Sequence, residues 1–161
     1  MQSFVIRQAE VADLVSISEL DKRAFEAELG QDAYPLAVFR QFFDLAPSLM
    51  VVATGLPGTL VGYACGGIGM DRTTAWVLAE AVEFGSRRQG VGRSLVVELL
   101  GRMRAGGAIR CRLTVAPQNT PAIGLYRKVG FGKVGEKGDY FGIDKSRLIF
   151  EADLIPAVRF R

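Results

Sequence analysis

A mixed α/β fold is predicted by this 161-residue sequence: one domain, residues 1–161, with a central mixed sheet of six to seven strands and helices on both of its faces. Three observations predict it. Apolar residues recur at helical spacing over two stretches near the N-terminus and one stretch in the middle of the chain. Between and after them the period shortens to apolar runs of strand length, bounded by glycine and proline. No repeat, low-complexity tract or Pro/Ser linker divides the chain.

The elements follow in order. Residues 4–7 read as a short strand. Across residues 11–27, Val11, Leu14, Val15, Ile17, Leu20, Ala24 and Phe25 form a helical stripe, with Glu10 and Asp13 near its start. A second helix begins near Pro35, carries Leu36, Phe39, Phe42, Phe43 and Leu45, and is ended by Pro47. Residues 49–54 and 60–65 are apolar runs around Gly55-Leu56-Pro57-Gly58 and read as a hairpin; residues 75–84 add a third strand. Val91, Leu95, Val96, Leu99, Leu100 and Met103 mark a helix over 90–105, stopped by Gly106-Gly107. Residues 109–115 are a strand. Residues 121–129 are a short helix with Thr120 as N-cap, Pro121 at the first helical position and Gly130 past the end. Val134 marks a short strand, and residues 148–154 close the sheet.

Composition excludes several chemistries. Histidine is absent, which removes Ser-His-Asp and Cys-His catalysis and every histidine-based metal site; no metal is expected. The two cysteines, Cys65 and Cys111, are too few for a four-cysteine zinc site or a disulfide scaffold. They read as buried small apolar residues in a reducing, cytoplasmic protein. No apolar run approaches the ~18 residues that span a bilayer, and the first ten residues lack the layout of a signal peptide, so no membrane partner is expected. Net charge is +3, from 20 basic and 17 acidic residues that are interspersed. That balance points to no nucleic acid and is equally served by a local basic pocket for an acidic ligand.

The segment Ala81-Val82-Glu83-Phe84-Gly85-Ser86-Arg87-Arg88-Gln89-Gly90-Val91-Gly92-Arg93 carries the clearest chemistry. A strand runs into a loop holding arginines and glycines, and a helix starts there. Gly90 and Gly92 let a ligand approach the backbone, while the helix start offers unpaired N–H groups and a positive dipole end. A phosphate or pyrophosphate suits that cradle, with Arg87, Arg88 and Arg93 adding charge. The dinucleotide fingerprint needs a third glycine or alanine where Leu95 stands, and a Walker loop needs a Gly-Lys-Ser/Thr that does not occur. What remains is Arg-x-x-Gly-x-Gly, which alone also fits an ordinary helix start.

A second motif follows one helix later: Leu113-Thr114-Val115-Ala116-Pro117-Gln118-Asn119, then a helix bearing Leu125-Tyr126, then Gly130-Phe131. The two motifs in this order resemble the GNAT N-acetyltransferase superfamily over residues 4–154. The resemblance implies a splay between the strands at 75–84 and 109–115, and acetyl-CoA as co-substrate. The strand at 81–84 would pair through its backbone, at Val82 and Phe84, with the pantetheine arm. The loop of Arg87, Arg88, Gln89, Gly90, Val91, Gly92 and Arg93 would hold the pyrophosphate, and Asn119 would contact the cofactor arm or cap the splay. Tyr126 falls where many members keep a tyrosine that protonates the leaving thiolate; a tyrosine there equally suits packing between helix and sheet. A backbone N–H at Val82 would polarise the thioester. Glu80 shares a face with Val82 and is the first choice of base, with Glu83 on the other face. Some peptide acetyltransferases of the family carry a glutamate where this sequence has Thr114.

The segments around Tyr34-Pro35 and Gly138-Asp139-Tyr140-Phe141-Gly142-Ile143-Asp144 resemble the branch that acetylates protein N-termini, including the ribosomal-protein type. Tyr34 and Tyr140 would then line the acceptor entrance, with Asp139 and Asp144 attracting a protonated amine; Phe39, Phe42 and Phe43 read as core. The implied partner is an amine acceptor, a peptide or protein N-terminus or a small amine, with a homodimer left open. A small-molecule acetyltransferase and a non-catalytic acyl-CoA-binding module stand as the alternatives.

Overall fold

A computed structural model describes residues 3–27 and 30–155. Seven strands hydrogen-bond in the order β1-β2-β3-β4-β5-β7-β6. The chain clusters into two compact units: the first comprises the residues up to Gly67 and Leu78–Arg102, the second Ile68–Val77 and the residues from Met103 on.

In the first unit, β1 (Phe4–Gln8) pairs antiparallel with β2 (Met50–Gly55), and β2 pairs antiparallel with β3 (Leu60–Ile68). Met50, Val51, Val52 and Ala53 are each at most 1% exposed, which explains why this strand reads as an unbroken apolar run: both of its faces are covered. A bulge between Ala53 and Thr54 shifts the register, so Thr54 meets Leu60 while Ala53 meets Gly62. The first helical stripe folds as a short 3₁₀ turn (Val11–Asp13), helix α1 (Leu14–Lys22) and a π turn (Arg23–Ala27). Its entry is fixed by Asp13, whose carboxylate accepts the Glu10 N–H at 2.7 Å and the Arg7 guanidinium at 2.7 and 2.9 Å. The Arg7 contact holds that carboxyl below the usual aspartate range. Helix α2 (Leu36–Leu45) starts after Pro35; Pro47 opens a separate 3₁₀ turn (Pro47–Leu49) rather than marking the helix end itself.

Neighbouring residues of β3 show how the helices are held. Tyr63 joins the cluster of Ile17, Leu20, Phe39 and Met50, on the side of α1 and α2. Gly62, pointing the other way, faces helix α3 (Val91–Ala105): a Cβ there would come within 2.9 Å of Leu95 and 3.1 Å of Val91. Only a glycine admits the helix at that distance.

Strand β4 (Thr74–Val82) belongs half to each unit. Within the second unit it pairs in parallel with β5 (Arg110–Val115) over Thr74–Trp76 and Arg110–Arg112, then continues six residues past the last of those pairs. β5 pairs antiparallel with β7 (Arg147–Asp153), which pairs with β6 (Gly132–Lys137). Arg112 and Glu151 stand opposite each other in that ladder and form an ion pair at 2.7 Å. Helix α4 (Thr120–Val129) follows β5.

Candidate active site

The first unit carries the phosphate-type loop. Along β4 the side chains alternate: Ala79 and Ala81 are buried, while Leu78, Glu80 and Val82 share the more open face. Glu80 and Val82 are thus on one face, as the strand period requires. The strand stops at Val82, and two expectations change there. Glu83 and Phe84 lie beyond it: Glu83 donates its N–H to the Val61 carbonyl at 2.8 Å, and Phe84 opens a 3₁₀ turn (Phe84–Ser86) with its ring 77% exposed. Phe84 therefore does not extend the strand edge, and Glu83 is not on an alternate strand face. Its carboxylate meets Arg23 at 3.1 and 3.3 Å instead, a surface pair of small energetic weight.

Past the turn, Arg87 folds back. Its Nε donates to the Val82 carbonyl at 3.0 Å and its guanidinium lies 5.5 Å over the Phe84 ring. Gln89 Nε2 donates to the Gly85 carbonyl at 3.2 Å. Arg88 and Gly90 both adopt left-handed backbone, with φ of 61° and 83°. The first helical bond runs from the Ser94 N–H to the Gly90 carbonyl at 3.0 Å, so the N–H groups of Val91, Gly92 and Arg93 precede it. A Cβ on Gly90 would meet nothing within 4 Å, so the loop is open at that point. Exposed arginines at 87, 88 and 93 flank a helix start that offers backbone donors, which is the composition of an anion site.

Tyr34 also lies in this unit, half-buried, with its ring edge-on to Phe39 at 5.9 Å and Phe42 at 5.5 Å. Phe39 is fully buried, and Phe42 and Phe43 pack against the core as the sequence suggests. One group escaped the sequence reading. Asp21 on α1 is 1% exposed and accepts the Tyr34 N–H at 2.9 Å and the Tyr63 hydroxyl. Burial pushes its carboxyl above the usual range, against the pull of those two donors, and burial pushes the Tyr63 phenol well up. A signal existed: Asp21 sits four residues after Ile17 and three before Ala24, in the middle of the apolar stripe.

The second unit carries the other motif. Asn119, not Thr120, is the N-cap of α4: its side chain accepts the Ala122 N–H at 3.4 Å, and Thr120 is already helical. Pro121 follows in the first turn, and Gly130 ends the helix with φ of 113°. Tyr126 is 7% exposed and meets the Phe131 ring edge-on at 5.9 Å. Thr114 lies on β5 opposite Ile149.

In the late loop, Tyr140 is half-buried and edge-on to Phe141 at 4.8 Å, with Lys137 Nζ 6.0 Å over its ring. Arg147 lies 5.0 Å over Phe141. Asp139 turns inward on the loop: its carboxylate accepts the Asp144 N–H at 2.8 Å. Both cysteines are buried free thiols, and burial pushes Cys111 up to about 12.

The loop and the Asn-to-tyrosine segment both fall inside the part of the chain that matches a known family. Residues 14–131 match the Acetyltransferase (GNAT) family. The chain belongs to that family. It is an acetyl-CoA-dependent N-acetyltransferase, and its acceptor is an amine. It is 36% identical over 137 residues to the N-alpha-acetyltransferase RimI of Mycobacterium tuberculosis, covering 82% of this chain and 80% of that protein. It is 27% identical over 84 residues to the [Ribosomal protein bS18]-alanine N-acetyltransferase of Escherichia coli, a match spanning 52% of this chain and 55% of that enzyme. Among solved structures, Ard1 from Thermoplasma volcanium superposes with a TM-score of 0.84 at 25% identity, covering 96% of this chain and 99% of that one. Among the described residues, no helix is long and apolar enough to cross a membrane.

Proposed function

We propose that this acetyltransferase acts on the N-terminal amine of a peptide or protein. The observation that carries the cofactor half of the reading is the start of α3. There, left-handed Arg88 and Gly90 precede three backbone N–H groups not used by the helix, and arginines flank them. Residues Arg87, Arg88, Gln89, Gly90, Val91, Gly92 and Arg93 hold the pyrophosphate of acetyl-CoA, and Val82 offers its backbone to the pantetheine arm. Asn119 serves α4 as its cap and the cofactor arm through its remaining amide hydrogens. The acceptor half is supported by the relative named as an N-alpha-acetyltransferase, at 36% identity. Tyr34 and Tyr140 are the residues assigned to acceptor binding.

The reaction is direct attack of the neutral amine on the thioester carbonyl. The carbonyl oxygen gains negative charge, which a backbone N–H at Val82 stabilises. The carbon–sulfur bond breaks, and the departing sulfur takes a proton from the Tyr126 hydroxyl. The proton leaving the amine passes to Glu80, directly or through water. Thr114 has no carboxylate to do this.

The test is release of CoA thiol from acetyl-CoA in the presence of a panel of acceptors. The panel holds peptides with free N-terminal alanine, serine or methionine, together with polyamines and amino sugars. Peptide turnover well above that of the small amines is expected. Turnover confined to polyamines or amino sugars would overturn the acceptor assignment, and acetyl-CoA binding without turnover of any amine would overturn catalysis.

A further inference from the structure

Asp21 is the only charged side chain among the described residues that is buried. A lone carboxylate on the apolar stripe of α1 is costly unless donors reach it. Two do, and they come from different parts of the first unit. The Tyr63 hydroxyl comes from β3, and the Tyr34 N–H comes from residues 30–35, which form neither helix nor strand. The near end of that segment is tied by Gly30 N–H to the Glu26 carbonyl at 3.2 Å and Gln31 N–H to the Phe25 carbonyl at 2.8 Å. Further along, the Asp21 carboxylate takes the place of a strand partner for the backbone of Tyr34. The side chains close the circuit. Tyr34 is edge-on to Phe39, and Phe39 is edge-on to Tyr63 at 5.4 Å. Asp21, Tyr63, Phe39 and Tyr34 therefore form one ring of contacts, in which both the backbone and the ring of Tyr34 are fixed.

We infer that Asp21 and Tyr63 are a positioning pair that holds Tyr34 in its acceptor-binding arrangement and so sets acceptor affinity without touching either substrate. The inference rests on the reading of Tyr34 as an acceptor contact. Among the described residues Tyr63 brings the only side-chain donor to Asp21, and losing its hydroxyl leaves the carboxylate with the Tyr34 N–H from that set. The carboxylate that holds the Tyr34 backbone is then less firmly placed, and the segment gains freedom that acceptor binding must remove.

The experiment measures steady-state kinetics of Tyr63→Phe, Asp21→Asn and Tyr34→Ala, and of the double variant Tyr34→Ala/Tyr63→Phe. The acceptor is a six-residue peptide beginning with alanine, and calorimetric acetyl-CoA stoichiometry gives the folded fraction. Tyr63→Phe keeps its ring against Phe39, so it remains informative if Asp21→Asn folds poorly. The expected result is a KM for the peptide raised about tenfold in Tyr63→Phe, with kcat and the KM for acetyl-CoA within about twofold. In the Tyr34→Ala background the same substitution should change the peptide KM no further. A merely structural pair would lower the active fraction and leave the peptide KM alone, and that outcome overturns the inference. Equal rises in both KM values, or a full effect of Tyr63→Phe in the absence of the Tyr34 ring, overturn it as well. A wild-type peptide KM in Tyr34→Ala, or a wild-type enzyme that acetylates only small amines, removes the acceptor reading beneath it. A raised KM in Tyr34→Ala with none in Tyr63→Phe removes this inference alone.

Discussion

Replacing Gly90 by alanine separates the strain of the loop from its use. Gly90 has a φ of 83°, and a Cβ built on it meets nothing within 4 Å. Steric collision therefore contributes nothing, and the cost is the left-handed backbone of an L-residue, about 1–2 kcal/mol. For a chain of this size each kcal/mol lowers Tm by about 2–4 °C, so a fall of about 2–8 °C is expected. Binding responds through a different route. If alanine keeps the left-handed turn, its methyl group stands where the pyrophosphate approaches; if it relaxes, the N–H groups after it turn away. Losing one hydrogen bond from an amide to a charged phosphate costs about 1.5–3 kcal/mol. That corresponds to a rise in the Kd for acetyl-CoA of about ten- to a hundredfold. Gly85→Ala is the control, because Gly85 also has open space around it but no positive φ; it should leave Tm unchanged. Differential scanning calorimetry and titration calorimetry read the two effects. A Gly90→Ala variant with the lowered Tm and unaltered acetyl-CoA affinity refutes the cradle, and an unaltered Tm refutes the strain arithmetic.

Tyr126→Phe should lower kcat by about 10²–10⁴ while leaving acetyl-CoA affinity unchanged, because the ring keeps its contact with Phe131; wild-type turnover in an assay limited by chemistry would mean that the hydroxyl has no part in the reaction. Tyr140→Ala should raise the KM for the acceptor and spare that for acetyl-CoA, and equal changes in both would remove Tyr140 from the acceptor side. Cys65 and Cys111 should react with a maleimide only in denaturant, given their burial and raised thiol pKa values; labelling of the native protein at the rate of a free thiol would contradict that. Asp21 has a carboxyl held above its ordinary range in the folded state, so its protonated form favours folding. The stability of the wild type relative to Asp21→Asn should therefore fall as pH rises from about 4 through that raised value; a difference that grows with pH would reverse the sign.

The sequence makes legible what is periodic or local. β2 is a continuous apolar run because both of its faces are covered, and α3 is marked by its buried stripe and by the glycines at its ends. Boundaries were harder, for a physical reason in each case. Val82 through Phe84 looks uniformly strand-like, but the Glu83 N–H bonds to Val61 and the chain turns at once. Thr120 and Asn119 are both good caps, and only backbone geometry decides which one stands outside the helix. The Asp21–Tyr63 bond joins residues 42 positions apart, so no local pattern could name the partner. A charged residue in the middle of an apolar stripe could still have flagged one end of it.

The proposed assignment of the base draws on where the carboxylates stand. Glu80 and Glu83 are the two glutamates weighed as base, Asp139 and Asp144 are the acids expected to attract the amine, and Thr114 stands where some peptide acetyltransferases of the family carry a glutamate. Glu83 is off the strand and engaged by Arg23. Asp139 accepts an N–H of its own loop, and Asp144 lies in that same loop with left-handed backbone, five residues further along the chain. Glu80 alone stays on β4, half-buried, on the face it shares with Val82. That placement is what makes Glu80 the proposed base, since a carboxylate on the same strand face as Val82 can receive the amine proton directly or through water. A strand residue is also held more rigidly than a loop residue, so its distance to the reacting amine varies less from one turnover to the next. Removing the Glu80 carboxylate as glutamine should thus lower kcat even at high pH, where the amine arrives neutral, because the attacking nitrogen still has a proton to lose. A raised acceptor KM with kcat unchanged would indicate that Glu80 orients the acceptor instead of taking its proton.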